Sequence, residues 1–290
     1  MGALRGGHPA RVRADDRGVA APPGRARRVN PLARFVVRGV DLVNRRGKSV
    51  GVRLVRLTGK RPYAIHPKHL VEQPWHDWYL PSLRPTDLVL DVGCSNGGHL
   101  VRAAARCRSI IGFDHDLPQL RIAAREIRER RLGKARIFAW DITGRFPFPD
   151  RTFDAALFLD VIEHLDPRVA VLGEIRRVLK DSGRLLVSAP NRDTRWRRRL
   201  RDAGLFAYSD PDHKIEYNRD EFLAELRQGG FEPDGPVMPV VLDTPWAGLI
   251  DAAGGLSLSL YDRLSRWKRE GAVQRPAEST GFRVVARKRR

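Results

Sequence analysis

The stretch that most constrains this chain is residues 88–100, which read LVLDVGCSNGGHL. Leu88, Val89, Leu90 and Val92 form a short aliphatic run of the kind found in a strand buried on both faces. A glycine-rich turn follows, Gly93-Cys94-Ser95-Asn96-Gly97-Gly98, and His99 to Ala105 can continue as a helix. Strand, tight turn and helix is the geometry of a nucleotide-binding crevice at the carboxyl edge of a parallel sheet. Glycine suits the turn because the backbone must reverse sharply and admit a ligand with no Cβ in the way.

The spacing downstream extends that unit. Ser109 to Phe113 reads as a second buried strand, with Asp114 at its carboxyl end and His115 next to it. A helix pattern runs from Leu117 to Arg131, and Ala135 to Ala139 is a third strand with Asp141 and Ile142 just beyond. Phe153 to Leu159 is a fourth strand, ending in Asp160 and the run VIEHL; residues 166–179 form a helix, and Gly183 to Ala189 is a fifth strand. Such alternation predicts an α/β fold with a doubly wound, mostly parallel sheet. Two late strand candidates, around Val237 to Leu242 and Gly281 to Ala286, bring the count to seven. Between them and the fifth strand, Asn218 and Glu221 have the spacing of a capping box, and the helix they open should stop at Gly229-Gly230.

The flanks differ in character. Residues 1–30 are Arg, Gly, Pro and Ala with hardly a large apolar side chain, too little to offset ordering entropy, and are expected to be a disordered basic tail. Residues 31–82 are expected to form an N-terminal helical extension, and 83–290 the main domain with a helical insert or lid at 243–279. In the extension, Leu32, Phe35, Val36, Val40 and Val43 recur at helical spacing beside Arg34, Arg38, Arg45 and Arg46. A basic amphipathic helix of this kind either lies on a membrane or packs on its own domain with the arginines solvated. Residues 50–57 suit helix or strand equally, and His66-Pro67-Lys68-His69 opens a further helix rich in Trp75, Trp78 and Tyr79. Leu256, Leu260, Leu264 and Trp267 form an apolar stripe in the insert, and Arg195 to Arg201, RWRRRLR, is a dense basic patch.

With 54 Lys and Arg against 34 Asp and Glu the net charge is +20, a field that attracts polyanions and acidic membrane surfaces. The same balance also follows from an Arg-rich composition with no such partner. Cys94 and Cys107 make neither a disulfide framework nor a zinc site. No apolar run is long enough to span a bilayer, and the N-terminus lacks the apolar core of a secretory signal. A cytoplasmic protein is expected, either free or peripheral at the inner face of the membrane.

Taken together these residues resemble the class I S-adenosylmethionine-dependent methyltransferases over positions 88 to about 231. The first motif of that family reads D-x-G-x-G-x-G; here it is Asp91-Val92-Gly93-Cys94-Ser95-Asn96-Gly97, with Ser95 in place of the middle glycine. GFDHD, the stretch from WDITGRFPFPDRTFD through LFLDVIEHLDP, RRVLKDSGRLLVSAPN and HKIEY follow in family order. They look most like the branch acting on quinones, lipid-linked sugars and small metabolites. The resemblance implies a Rossmann-like sheet of seven strands, S-adenosylmethionine as cofactor, and a small-molecule or lipid-linked acceptor methylated at oxygen. It implies that Gly93, Ser95 and Gly97 let the backbone approach the methionine moiety, whose amino group Asp91 accepts. Asp114, with His115 beside it, falls to the ribose hydroxyls, and Asp141 and the backbone of Ile142 to adenine. Asp160 lies beside the reacting methyl. His164 is then a candidate general base and His213 a second one; no metal is expected.

Three rivals stand beside this reading. Gly93-x-Ser95-x-x-Gly98 is a damaged dinucleotide fingerprint with Asp114 about twenty residues on, as a nicotinamide oxidoreductase wants. The charge and RWRRRLR suit a methyltransferase acting on RNA, although the Asn/Asp-Pro-Pro-aromatic motif of base-amino methylation is absent after the fourth strand. A non-catalytic cofactor-binding or scaffold protein is the third.

Overall fold

The computed structural model describes residues 30–58 and 74–289. The basic tail up to Val29 and the helix expected to open at His66 lie outside them; at the far end of that stretch Pro74–Asp77 and Leu80–Ser82 form short 3-10 turns.

The sheet is the one the spacing predicts, with a short extra strand. β1 (Leu88–Val92), β2 (Ser109–Asp114), β3 (Ala135–Ala139), β4 (Phe153–Leu159) and β5 (Leu179–Pro190) form its parallel part in the order β3-β2-β1-β4-β5. β8 (Gly281–Lys288) lies antiparallel against β5, and its outer edge carries β6 (Phe231–Pro233) and the two-residue β7 (Met238–Pro239). The sequence missed β6, which is too short to show a period, and overextended β7. Between Pro239 and β8 the described chain adds one isolated bridge, Leu242 to Ser279.

Helices cover both faces. α2 (Gly98–Ala104), α3 (Leu117–Glu129), α4 (Arg168–Val178) and α6 (Arg219–Gln228) follow the expected pattern. Asp116 caps α3 by accepting from the Gln119 amide, and the Asn218–Glu221 capping box opens α6. One core layer holds Phe113, Phe146, Phe153, Phe222, Phe231 and Tyr217; the other holds Tyr79, Val89, Leu100, Ile110 and Leu157. Cys94 and Cys107 are both free and buried.

Two segments read as surface features acquire definite packing. RWRRRLR is a helix, α5 (Arg195–Asp202), capped by Thr194 and buried through Trp196 and Leu200 against Val37 and Val40. Its arginines are answered by acids: Arg195 by Glu278, Arg197 by Asp243, Arg201 by Asp193. The extension is one long helix, α1 (Pro31–Thr58), so residues 50–57 are helical. α1 lies along α7 (Ala247–Leu256), which α8 (Leu258–Gln274) follows. Glycines set that contact: a Cβ at Gly47 would overlap the Gly248 carbonyl, one at Gly51 the Asp251 carbonyl, and one at Gly248 the Asn44 carbonyl. The insert therefore packs against α1, which the lid expectation did not foresee.

Such backbone proximity leaves no room for larger residues. Gly248→Val is expected to cost ~1–3 kcal/mol through overpacking, read from the urea midpoint, and to speed tryptic cleavage at the arginines of α1. Unchanged cleavage kinetics would refute the close contact.

Candidate functional site

The carboxyl edge of the parallel strands gathers most of the residues singled out from sequence. β1 delivers Asp91 and then turns: the Gly93 and Cys94 amides both donate to the Phe113 carbonyl at 3.0 Å, tying the turn to the end of β2. Gly93 and Gly97 each have φ +76°, and Ser95 holds φ +45°. A Cβ on Gly93 would fall 2.9 Å from the Val161 γ-methyls, and one on Gly97 2.9 Å from that of Ala123. Both positions require glycine for conformation and for space.

Asp114, at the end of β2, accepts the Ser95 amide through Oδ2 at 2.8 Å and the Asp116 amide through Oδ1 at 2.9 Å. It therefore braces the turn, and each oxygen still has a second lone pair to offer. The adjoining His115 ring is exposed, with Nδ1 3.5 Å from Asp114 Oδ1. Asp141 accepts the Thr143 amide and hydroxyl through one oxygen, both at 2.8 Å, which holds its carboxyl below the usual range. Ile142 is buried in the core below it.

Asp91 is the outlier. It is 3% exposed, and its Oδ2 is buried with no hydrogen-bond partner among the described residues. Burial, reinforced by the charge of Asp114, pushes its carboxyl up to about 7. A buried acid with an orphaned oxygen beside a turn that excludes side chains is the arrangement an ammonium-bearing ligand would complete.

A second group lies past β4. Asp160 takes φ +54°, and its Oδ1 accepts the Ser188 hydroxyl at 2.7 Å. Glu163 and His164 sit on the 3-10 turn Ile162–His164, Glu163 buried and His164 exposed. The HKIEY loop is fastened to that turn, since the Glu163 carbonyl accepts the Lys214 and Ile215 amides at 2.8 and 3.3 Å. His213 is thereby brought to a ring-centroid distance of 4.7 Å from His164, and its Nδ1 to 2.8 Å from Glu216 Oε1. Burial alone would raise the Glu216 carboxyl, but hydrogen bonds from His213 and Ser209 outweigh it and hold it below its usual value. Burial, with the charge of Asp160 added, drives Glu163 well upward.

Sequence reasoning passed over Glu216, Ser188 and Arg283. Glu216 stood in a quoted motif, three residues after His213. Arg283 was one arginine among many, yet it is buried on β8 within reach of the Asp160 charge, with its guanidinium 5.9 Å from the Trp78 ring centre.

Fold and edge define a class: a doubly wound α/β protein whose glycine turn and acidic residues gather at the carboxyl ends of its parallel strands. Residues 90–187 match the methyltransferase domain family. A 27-O-demethylrifamycin SV methyltransferase of Amycolatopsis mediterranei is 28% identical over 159 residues, covering 52% of this chain and 56% of that protein. A demethylmenaquinone methyltransferase of Tropheryma whipplei is 30% identical over 162 residues, 50% of this chain and 66% of that one. Among solved structures, the 4+2 cyclase SpnF aligns with a TM-score of 0.56 at 22% identity, over 89% of this chain and 97% of that one. A geranyl diphosphate methyltransferase in complex with SAM aligns with a TM-score of 0.51 at 18% identity, over 77% and 87%. Residues 90–187 carry this methyltransferase domain, and the proteins similar to it include S-adenosylmethionine-dependent methyltransferases. The chain spans about half the length of the first curated relatives it matches.

The Asp91 environment has a measurable consequence. The unfolded chain releases this proton near 3.8 and the folded one near 7, so stability from this group falls as pH rises between those values and then levels off. Removing the charge should restore up to ~4 kcal/mol above pH 7. Asp91→Asn is expected to melt higher than the parent at pH 8 without cofactor, the difference closing toward pH 4. A pH-independent difference in calorimetry would contradict a raised Asp91.

Proposed function

We propose that this chain transfers the methyl group of S-adenosylmethionine to an oxygen of a small-molecule or lipid-linked acceptor. The observation that carries the reading is the orphaned, buried Asp91 oxygen beside the left-handed Gly93 and Gly97 turn. Asp91 would take the ammonium of the methionine moiety, and the turn would let its backbone approach. The free lone pairs of Asp114 suit two ribose hydroxyls, and Asp141, already ordered by Thr143, suits the exocyclic amine of adenine. The sulfonium is activated before it binds, so in-line positioning can supply much of the acceleration, on the order of 7–11 kcal/mol at best.

The acceptor would enter past β4, where Asp160, His164 and His213 can take a hydroxyl proton. Oxygen is favoured because these groups all accept hydrogen bonds, and one relative is named for an O-demethyl substrate. RNA is disfavoured because four of the five α5 arginines, Arg195, Arg197, Arg198 and Arg201, already face acids.

A lipid-linked acceptor also accounts for α1. Leu32, Phe35, Val36, Leu42, Val43 and Val50 are exposed along it, 45–74% each, with exposed Arg34, Arg38, Arg45, Arg46 and Lys48 on the same helix. That combination fits an anionic bilayer surface. No helix of the described residues is long and apolar enough to cross a membrane.

Two experiments test this. Asp114→Ala is expected to weaken S-adenosylmethionine binding ~10–100-fold in calorimetry, the loss of charged hydrogen bonds, and labelled donor with cell extract should yield a methylated small molecule. No binding by the parent protein would end the proposal. Separately, sedimentation with phosphatidylglycerol vesicles at low salt should fall at least about tenfold in Phe35→Glu/Val43→Glu, with cofactor affinity unchanged; equal sedimentation would remove the lipid surface.

A further inference from the structure

We propose that Glu163, His164 and His213 form a binding site for a first-row divalent transition-metal ion. Each offers one ligand atom, and the three atoms lie within 4.8 Å of one another. The segments carrying them are already joined, the loop being hydrogen-bonded to the Glu163 carbonyl. An ion held at about 2.1 Å sets its ligands ~3–3.5 Å apart, so the cluster needs to close by ~1 Å. His164, the exposed member, is the one with room to move.

The independent observation is Glu163 itself. Its side chain is 2% exposed, and Oε2 has no hydrogen-bond partner among the described residues. Its charged neighbours Asp160, Glu216 and Asp210 are acids too, so the surroundings call for a cation. His213 points its Nε2 toward this carboxylate, 3.9 Å from Oε1. His213 Nδ1 lies 2.8 Å from Glu216 Oε1, so the ring is held by that bond and Nε2 is the atom turned toward Glu163. A carboxylate behind a histidine is the outer-shell support that metal-bound imidazoles use. Two imidazoles and one carboxylate favour a transition ion over Mg²⁺ or Ca²⁺. Three protein ligands leave coordination positions open. A hydroxyl bound there would lose its proton more readily.

This assignment concerns metal binding alone and does not depend on methyl transfer. Full-length protein is stripped with chelator, exchanged into metal-free buffer, and titrated by calorimetry with Mn²⁺ and with Zn²⁺. Co²⁺ provides an absorption spectrum that reports nitrogen ligation. Expected are one ion per chain, a visible Co²⁺ band, and at least tenfold weaker binding in His164→Ala, Glu163→Gln and His213→Ala. His164 is exposed, so its variant keeps the fold; Glu163→Gln keeps the size and shape of the buried side chain and removes only the carboxylate an ion would need. No saturable binding, or binding that all three variants retain, would overturn the site. The affinity for S-adenosylmethionine, measured in parallel, reports on the other reading by itself.

Discussion

Everything at this edge depends on the parallel register of five strands. Val92 of β1 stands opposite Phe113 of β2, Asp114 stands opposite Ala139 of β3, and Leu159 of β4 stands opposite Ser188 of β5. Because these strands run the same way and end nearly level, the residue after each emerges on one rim. The Gly93 turn, Asp114, Asp141 and Asp160 are neighbours for that reason alone. A one-residue slip would send their side chains to the opposite face, which is why the aliphatic runs below them matter to chemistry they never touch.

Much of this arrangement was legible because short-range rules and register coincide. Aliphatic runs bounded by Gly and Asp located five strands, and Asn218 with Glu221 located a helix start to the residue. What stayed hidden was set by long-range contact. β6 and β7 exist only because β8 gives them a partner edge, and three or two residues carry no periodicity of their own. Glu216 lies beside His213 in sequence, yet its role follows from burial against Ser209 and the end of β5. Arg283 comes from the last strand to the rim that Asp160 terminates, through antiparallel pairing with Ser188.

Charge was the least informative signal in one dimension. RWRRRLR looks like a surface for phosphates, yet Trp196 and Leu200 anchor it inward and Asp193, Asp243 and Glu278 face its arginines. Those acids lie near or far along the chain with no spacing rule to announce them. α1 shows the reverse. Its sequence suited self-packing and an external surface alike, and the structure divides the two between faces. Gly47 and Gly51 turn toward α7, while Phe35, Val43 and Val50 stay exposed. The small residues, which carry no hydrophobic signal, decide which face is buried.

Two buried carboxylates on this one rim, Asp91 and Glu163, each keep an oxygen without a hydrogen-bond partner among the described residues. Natural cores rarely leave such atoms unpaired, and each costs stability in the free protein. The cost has a direction, because burial and acidic neighbours disfavour the charged form at both. A positive group or a hydrogen-bond donor at either one reverses it. A cationic ligand at either one is therefore bound partly by relieving strain already present in the fold. The fold alone does not dictate this, since a cyclase shares it. The placement of buried acids at this rim, rather than the fold, is what carries the proposed affinity for cations.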